Sequence, residues 1–372
     1  MKTIYYLGLF DSPEHRRSAC SPAAVLVMNY VARAIYHEGY HIVMISGASD
    51  FHKKTREEGD LQGIRQIYTP SYGESKSKFI KLINRLKRRI NIISELSRLL
   101  SPQDTLVVYH GFGLAKHLLK LKKKIGFKLV IHVGEIYSDL DPNGDREKEI
   151  ELLSKADAYI LTNIFLNSLI NKNRRPFTIV HGTYESTTSN KVSITNKKDK
   201  INVVYAGALY KEKGVLQSIE AAKYLSKNYN LFILGSGSTE DVELVREKIR
   251  ETQKSSDCRI FFKGLLLGED YDNFIKSCDI GLCTQDQNAK FNNTSFPSKI
   301  LSYISNGLRV VCTEVPAIRN SKLEKNLFFS TDQAPQSIAK AIKEIDLSED
   351  YNHKEILNKL HNDFINDLRK IL

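Results

Sequence analysis

VVYAGALYKEKGVLQSIEAA, residues 203–222, sets the reading of the whole chain. A β-branched run ends at Gly207, a loop carries Lys211 and Lys213, and Gly214 opens a run of helical apolar spacing. A strand that passes through a glycine loop into a helix is the repeating unit of a parallel α/β sheet. Such a turn also suits a phosphate, because glycine lets the backbone come close and the helix entrance favours anions, to which Lys213 adds charge. Two lysines in an exposed loop would by themselves read as a solvated pair. The turns on either side decide the matter.

Downstream the same unit recurs. LFILGSGSTEDVELV (231–245) ends a strand in Gly235-Ser236-Gly237 before a helix, a G-x-G without the third glycine of the dinucleotide fingerprint. RIFFKGLLLGEDYDNFIKSCDIGLC (259–283) ends another at Gly264, where Leu265 and Leu266 can flank a nucleobase. FNNTSFPSKILSYISNGLRVV (291–311) runs from a polar loop into a helix with Pro297 in its first turn and Ser295 or Ser298 as cap. The amides of Ser295 to Ser298, the Lys299 ammonium and the helix dipole are expected to converge there on a diphosphate.

Upstream, TIYYLG, HIVMIS, IRQIY, TLVVYH, KLVIHV, AYILT and FTIV read as strands with amphipathic stretches between most of them, and a polar stretch after Tyr184 separates this set from the second. The chain has 372 residues, 41% hydrophobic and 26% charged, about twice what one core supports. The expected fold is therefore α/β with two Rossmann-like lobes facing a central cleft, at residues 1–190 and 191–350; a last helical stretch over 351–372 could join either. No run reaches the roughly 20 apolar residues that span a bilayer, and the N-terminus turns polar too soon for a secretory signal, so a cytoplasmic location is expected. The five cysteines form no C-x-x-C pair, which supports neither a disulfide framework nor zinc.

The order of these turns resembles the donor lobe of the retaining GT-B glycosyltransferases often called family four, which include capsule and O-antigen enzymes, and the likeness runs over nearly the whole chain. PSKILSYISNGLRVV is similar to the family's P-S-K variant of the donor motif. The resemblance implies a sugar transferase, retaining and metal-independent, with a nucleoside diphosphate sugar as donor and no further cofactor. Lys213 and Gly207 would hold the diphosphate, with Gly235, Gly237, Gly264, Leu265 and Leu266 along the nucleotide and Thr294, Ser295, Pro297, Ser298, Lys299 and Ser302 around phosphate and sugar. Thr294 and Ser302 stand where the family commonly has a Glu-x7-Glu pair, and Ala208 where many members have an arginine. The acceptor would sit on the first lobe, near Gly8 and the loop with Arg16 and Arg17. The turn KLVIHVGEIYSDL (128–140) is similar to the one that carries a histidine or acid beside the reacting sugar, which nominates His132 and Glu135 as catalytic. A nucleotide-sugar 2-epimerase shares this architecture, and loss of the glutamates also admits a non-catalytic partner.

Two other stretches carry competing signals. SDLDPNGDREKEIE (138–151) begins like a calcium loop but has Ile150 in place of the bidentate glutamate, so an acidic turn capping a helix near Arg146 is the better reading. Between Lys76 and Lys124 stand thirteen basic residues and two acidic ones, +11 of the chain's net +12. Within it FIKLINRLKRRINIISELSRLL (79–100) places Phe79, Leu82, Ile83, Leu86, Ile90 and Ile93 on one helical face and Lys81, Arg85 and Arg88 on another. This is the footprint of an anionic partner. A membrane surface, with a glycan or lipid-linked acceptor, fits it; nucleic acid does not, since aromatics are not interleaved and no reading module is visible. The alternative, equally open from the sequence, is an apolar face packed on the sheet with solvated charges.

Overall fold

The computed structural model describes residues 2–12, 20–48, 55–70, 72, 77–139, 144–186 and 200–372, without the side chains of Phe112 and Lys290. Arg16, Arg17, Lys76, Asp141 and most of the polar stretch between the two strand sets lie outside the described residues. The chain divides into two compact units, Met1–Thr183 joined by Phe364–Leu372, and Tyr184–Asp363.

The first unit holds β1 (Thr3–Gly8), α1 (Pro22–His37), β2 (His41–Ser46), β3 (Glu57–Leu61), β4 (Ile64–Tyr68), α2 (Lys78–Leu99), β5 (Thr105–Tyr109), α3 (Ala115–Ile125), β6 (Lys128–Val133), α4 (Arg146–Leu153), β7 (Ala158–Leu161), α5 (Ile164–Ile170) and β8 (Phe177–Ile179). Its eight strands lie in the order β3-β4-β2-β1-β5-β6-β7-β8, all parallel except β3 against β4. Burial runs almost unbroken along β1, β2, β6 and β7, as it must when helices cover both faces of a parallel sheet. β3, Glu-Glu-Gly-Asp-Leu, has none of the β-branched signature and joins the edge through a tight hairpin at Gln62 (φ 52°) and Gly63 (φ 90°). The C-terminal segment packs here too: the Phe364 ring lies 5.8 Å from that of Tyr30, Arg369 pairs with Glu38, and the Lys2 ammonium donates to the Leu372 carbonyl.

The second unit holds β9 (Ile201–Ala206), α6 (Val215–Ala221), β10 (Tyr229–Leu234), α7 (Thr239–Gln253), β11 (Arg259–Gly264), α8 (Gly268–Lys276), β12 (Ile280–Cys283), α9 (Lys299–Ser305), β13 (Arg309–Thr313), α10 (Pro316–Arg319), β14 (Phe328–Ser330) and α11 (Pro335–Lys343); α12 (His353–Ile371) begins in it and ends in the first. Its six strands are all parallel, in the order β11-β10-β9-β12-β13-β14. Three-residue β14 is too short to show a period in sequence.

Aspartates fix the register at the amino edge of both sheets. Asp104, just before β5, accepts the Thr3 amide at 2.8 Å; Asp157, before β7, accepts that of Leu129 at 2.7 Å; Asp279, before β12, accepts that of Asn202 at 2.8 Å. With the strand starts aligned, the strand ends and their loops come out together at the carboxyl edge, where ligands of such sheets bind.

Gly214 is among the tightest of those loop positions. Its φ is 79°, and a Cβ would lie 1.7 Å from the Thr284 carbonyl oxygen, while the Thr284 and Ser218 hydroxyls both donate to its own carbonyl. Gly214→Ala is expected to destabilise the second unit by more than ~3 kcal/mol in denaturant unfolding, whereas Gly268→Ala, with φ 55° and open space around a Cβ, should cost ~1 kcal/mol.

Candidate functional site

In the second unit the sequence-predicted turns come together as backbone. The Gly207 amide donates to the Leu234 carbonyl at 3.1 Å, the Gly235 amide to that of Gly264 at 2.9 Å, and the Leu209 amide to that of Ser236 at 3.0 Å. The loops after β9, β10 and β11 are thus laced to one another. A Cβ on Gly235 would meet the Gly207 carbonyl oxygen at 1.7 Å, so glycine is the residue that lets them approach. Gly237 precedes a full capping box of Ser238 and Asp241 that starts α7. Leu265 is exposed and Leu266 half-buried in the loop after β11.

Beside this lacing two ammonium groups are held close enough to repel. Lys299, at the first position of α9, places its Nζ out of solvent over the Tyr205 ring, 3.8 Å from the centroid, with no hydrogen-bond partner among the described residues. Burial, with a smaller push from Lys213 against an opposing pull from Cys283, brings its pKa down from 10.5 to about 8. That disfavours the charged form by ~3 kcal/mol, a cost that an anion in the pocket would remove. Lys213 lies in a short 3₁₀ turn with its Nζ 3.8 Å over the Phe291 ring. Tyr205, which the sequence reading passed over as a strand residue, organises both: its hydroxyl donates to the Ala208 and Lys213 carbonyls at 2.7 and 3.2 Å, and its ring carries Lys299.

Of the four positions whose amides were expected to converge at Ser295–Ser298, two offer no free amide. The Ser295 amide and hydroxyl both donate to the Phe291 carbonyl at 2.9 Å, Pro297 has no amide hydrogen, and Ser298 stands at the N-cap with no side-chain hydrogen bond. α9 is only seven residues long. The full charges at this site are those of Lys299 and Lys213. Thr294 is buried, and Ser302 shares a hydrogen bond of 2.9 Å with the Tyr271 hydroxyl.

The first unit has a site of another kind, a cavity of about 470 Å³ above the carboxyl ends of β1 and β5, lined by Gly8, Gly47, Tyr109, His110, Tyr137 and three arginines of α2, among others. His132, nominated beside the reacting sugar, does not line it. Its ring is fully buried, sharing a 2.6 Å hydrogen bond with the Tyr6 hydroxyl and edge-on to Tyr109 at 4.8 Å. His110, which follows β5, lines the cavity instead, although it too is buried. It has a left-handed backbone (φ 60°), accepts the Gly134 amide at 3.1 Å on Nε2 and stacks on Tyr137 at 4.0 Å. Glu135 is half-buried and off the cavity wall. Buried Glu149, also unremarked in sequence, accepts the amides of Tyr137 and Ser138 at 3.1 and 2.9 Å and so sets the Tyr137 loop. The Asp145 carboxylate caps α4 by accepting the Lys148 amide, and Asp139 pairs with Arg146 at 2.7 Å, in keeping with the capping reading of that acidic turn.

Burial holds both histidine pKa values at about 3, with His110 adding a little to the depression of His132. Both rings are neutral in the folded chain at pH 7. An unfolded histidine takes up its proton near pH 6.5, so as pH falls below that the unfolded state is favoured, by ~1.4 kcal/mol per pH unit and per histidine, until about pH 3. Thermal melting should therefore fall steeply between pH 7 and 4.5, and His132→Asn should make that dependence shallower.

Comparison with known proteins fits this geometry. The model of the family described as Glycosyl transferases group 1 matches residues 200–346. No curated protein matches the chain by sequence. Solved structures of similar fold include trehalose-6-phosphate synthase from E. coli bound with UDP-2-fluoro glucose, at 11% identity and a TM-score of 0.67 over 99% of this chain and 97% of that one. Sucrose-phosphate synthase from Thermosynechococcus elongatus is similar at 13% identity and 0.67 over 100% and 95%. Anabaena HepE in complex with UDP is similar at 12% identity and 0.64 over 100% and 98%. Likeness at such identities concerns the fold. Residues 200–346 of this chain thus match the group 1 glycosyltransferase family, within a chain whose two Rossmann-like units share the GT-B fold of these structures.

Proposed function

We propose that the protein transfers a hexosyl group, with retention and without a metal ion, from a nucleoside diphosphate sugar held by the second unit to an acceptor hydroxyl held by the first. The observation that carries this reading is the buried Lys299 ammonium beside Lys213 in a group 1 glycosyltransferase domain. A cation taken out of water without a hydrogen-bonded partner is costly unless an anion joins it, and a diphosphate is the anion such a donor supplies. In the reaction the bond from the anomeric carbon to the diphosphate oxygen breaks, the bond to the acceptor oxygen forms, and the acceptor proton passes to the departing phosphate. Lys213 and Lys299 stabilise the charge that develops on that leaving group. His110, neutral and on the cavity wall, is placed to hydrogen-bond a sugar hydroxyl, a role the sequence had given to His132. Thr294 and Ser302 offer hydroxyls where carboxylates are usual.

We further infer that the acceptor is a lipid-linked or cell-surface glycan precursor, met at the cytoplasmic face of a membrane. Among the described residues no helix is long and apolar enough to cross a bilayer. The apolar stripe of α2 supports a surface contact: Phe79, Leu82, Leu86 and Ile90 are exposed on it, with Lys78, Lys81 and Lys87 on the same helix. Of this helix Ile92 and Leu96 are buried and Ile93 and Leu99 pack against the core, so only part of the apolar face expected from sequence meets the sheet.

Titration with UDP, GDP and dTDP should raise the melting temperature for one base, a ligand at 100 times its dissociation constant adding ~2.7 kcal/mol. A bound diphosphate returns the proton to Lys299, so binding should take up a proton near pH 9 and weaken as pH rises past about 8. Lys299→Met should abolish that pH dependence and Lys213→Ala should abolish donor turnover with the fold intact; unchanged affinity and turnover in both would sink the donor assignment. Vesicles with anionic lipid should sediment the protein, and Leu82→Glu with Leu86→Glu should release it; equal sedimentation would remove the membrane from the account.

A further inference from the structure

Arg85, Arg88 and Arg89 lie on one side of α2 and all three line the first-unit cavity. Their placement is unusual for an amphipathic helix. The guanidinium-bearing side turns toward the sheet while the apolar stripe of Phe79, Leu82, Leu86 and Ile90 is exposed. Three like charges at one cavity repel, and the effect is visible in Arg88, whose pKa is lowered by burial and then by Arg85 and Arg89. No carboxylate lines the cavity among the described residues. The remaining wall is apolar, with Leu7, Ile92, Val108 and Leu114, and closes on Tyr109, His110 and Tyr137.

Guanidinium groups keep their charge at any working pH and match the oxygens of phosphate in pairs. Three of them at a pocket of this size suit a dianionic group better than a single carboxylate, and the apolar wall suits a ring face or an alkyl chain beside it. We propose that this cavity binds an acceptor that itself carries a phosphate or diphosphate, recognised by Arg85, Arg88 and Arg89, with His110 at the sugar hydroxyls. The proposal rests on the reading of the first unit as the acceptor side. It adds that the acceptor is anionic, so that charge selects the substrate.

The test uses the whole chain with UDP at saturation, which fills the anion site of the second unit. Glucose 6-phosphate and farnesyl diphosphate are then titrated as probes by calorimetry, with glucose and farnesol as their uncharged counterparts. At least one phosphorylated probe should bind and its counterpart should not. Arg88→Gln should weaken that binding by about tenfold or more, Arg85→Gln, at an exposed helix position, should weaken it in the same direction, and Arg88→Lys should restore only part. Lys299→Met should leave the phosphorylated probe bound while UDP binding is weakened, which separates this proposal from the donor reading. Preference for glucose 6-phosphate would mark a water-soluble acceptor, and preference for farnesyl diphosphate a lipid-linked one; both uphold the anionic acceptor. Binding equal in wild type and both glutamine variants, no binding of either phosphorylated probe at millimolar concentration, or equal binding of charged and uncharged probes would each overturn it.

Discussion

Parallel strands have no hairpin to set their register, and a slip by one residue would turn every buried side chain to the opposite face. In this chain the setting is done by carboxylates placed one residue before a strand. Asp104, Asp157 and Asp279 each accept the first free amide of a neighbouring strand, and the backbone continues the clamp: the Asp157 amide donates to the Leu129 carbonyl and the Asp279 amide to that of Asn202, both at 2.8 Å. Everything at the far edge of each sheet inherits its level from these contacts. The glycine turns can lace together only because β9, β10 and β11 end in step.

The two units build their candidate sites from different materials. In the second, backbone does most of the shaping: glycines let three loops touch, and two lysines over aromatic rings supply charge. Holding an ammonium against a ring face retains some electrostatic compensation in a place where water is excluded. In the first, side chains dominate, with arginines from one helix, a histidine in a left-handed conformation and an outlying tyrosine kept in place by Glu149. A non-glycine residue at φ 60° stores ~1 kcal/mol or more of backbone strain, and such strain concentrates where a side chain has to be aimed.

Most of the architecture was legible because parallel strands covered on both faces read as apolar runs, and several of the runs ended at a glycine. β3 escaped because its pattern is polar; only the Gln62-Gly63 turn betrayed it. At the candidate sites, the glycines whose backbone approach laces the loops, Gly207 and Gly235, were legible in sequence, since spacing alone places them. Residues that act through side-chain direction were not. His110 and His132 pair across β5 and β6 one register step apart, and nothing in TLVVYH or KLVIHV says which ring is buried. Tyr205 looked like one more strand aromatic, and Glu149 like one more helix acid. For α2 the pattern gave the two faces correctly but not which of them meets the sheet, because amphipathicity fixes a direction only relative to the helix itself.

The closure of the first unit by Phe364–Leu372 has a consequence for how the chain acquires its structure. The second unit is one uninterrupted stretch, so its sheet can form as soon as that stretch has left the ribosome, and domains do generally fold as units in order of synthesis. The first unit begins earlier and finishes later. Its contacts at Tyr30, Glu38 and Lys2 wait for residues made after all of the second unit. Translation thus imposes an order in which the earliest-made sheet is the last to be sealed, and apolar surface around Tyr30 stays uncovered for the whole of the intervening synthesis.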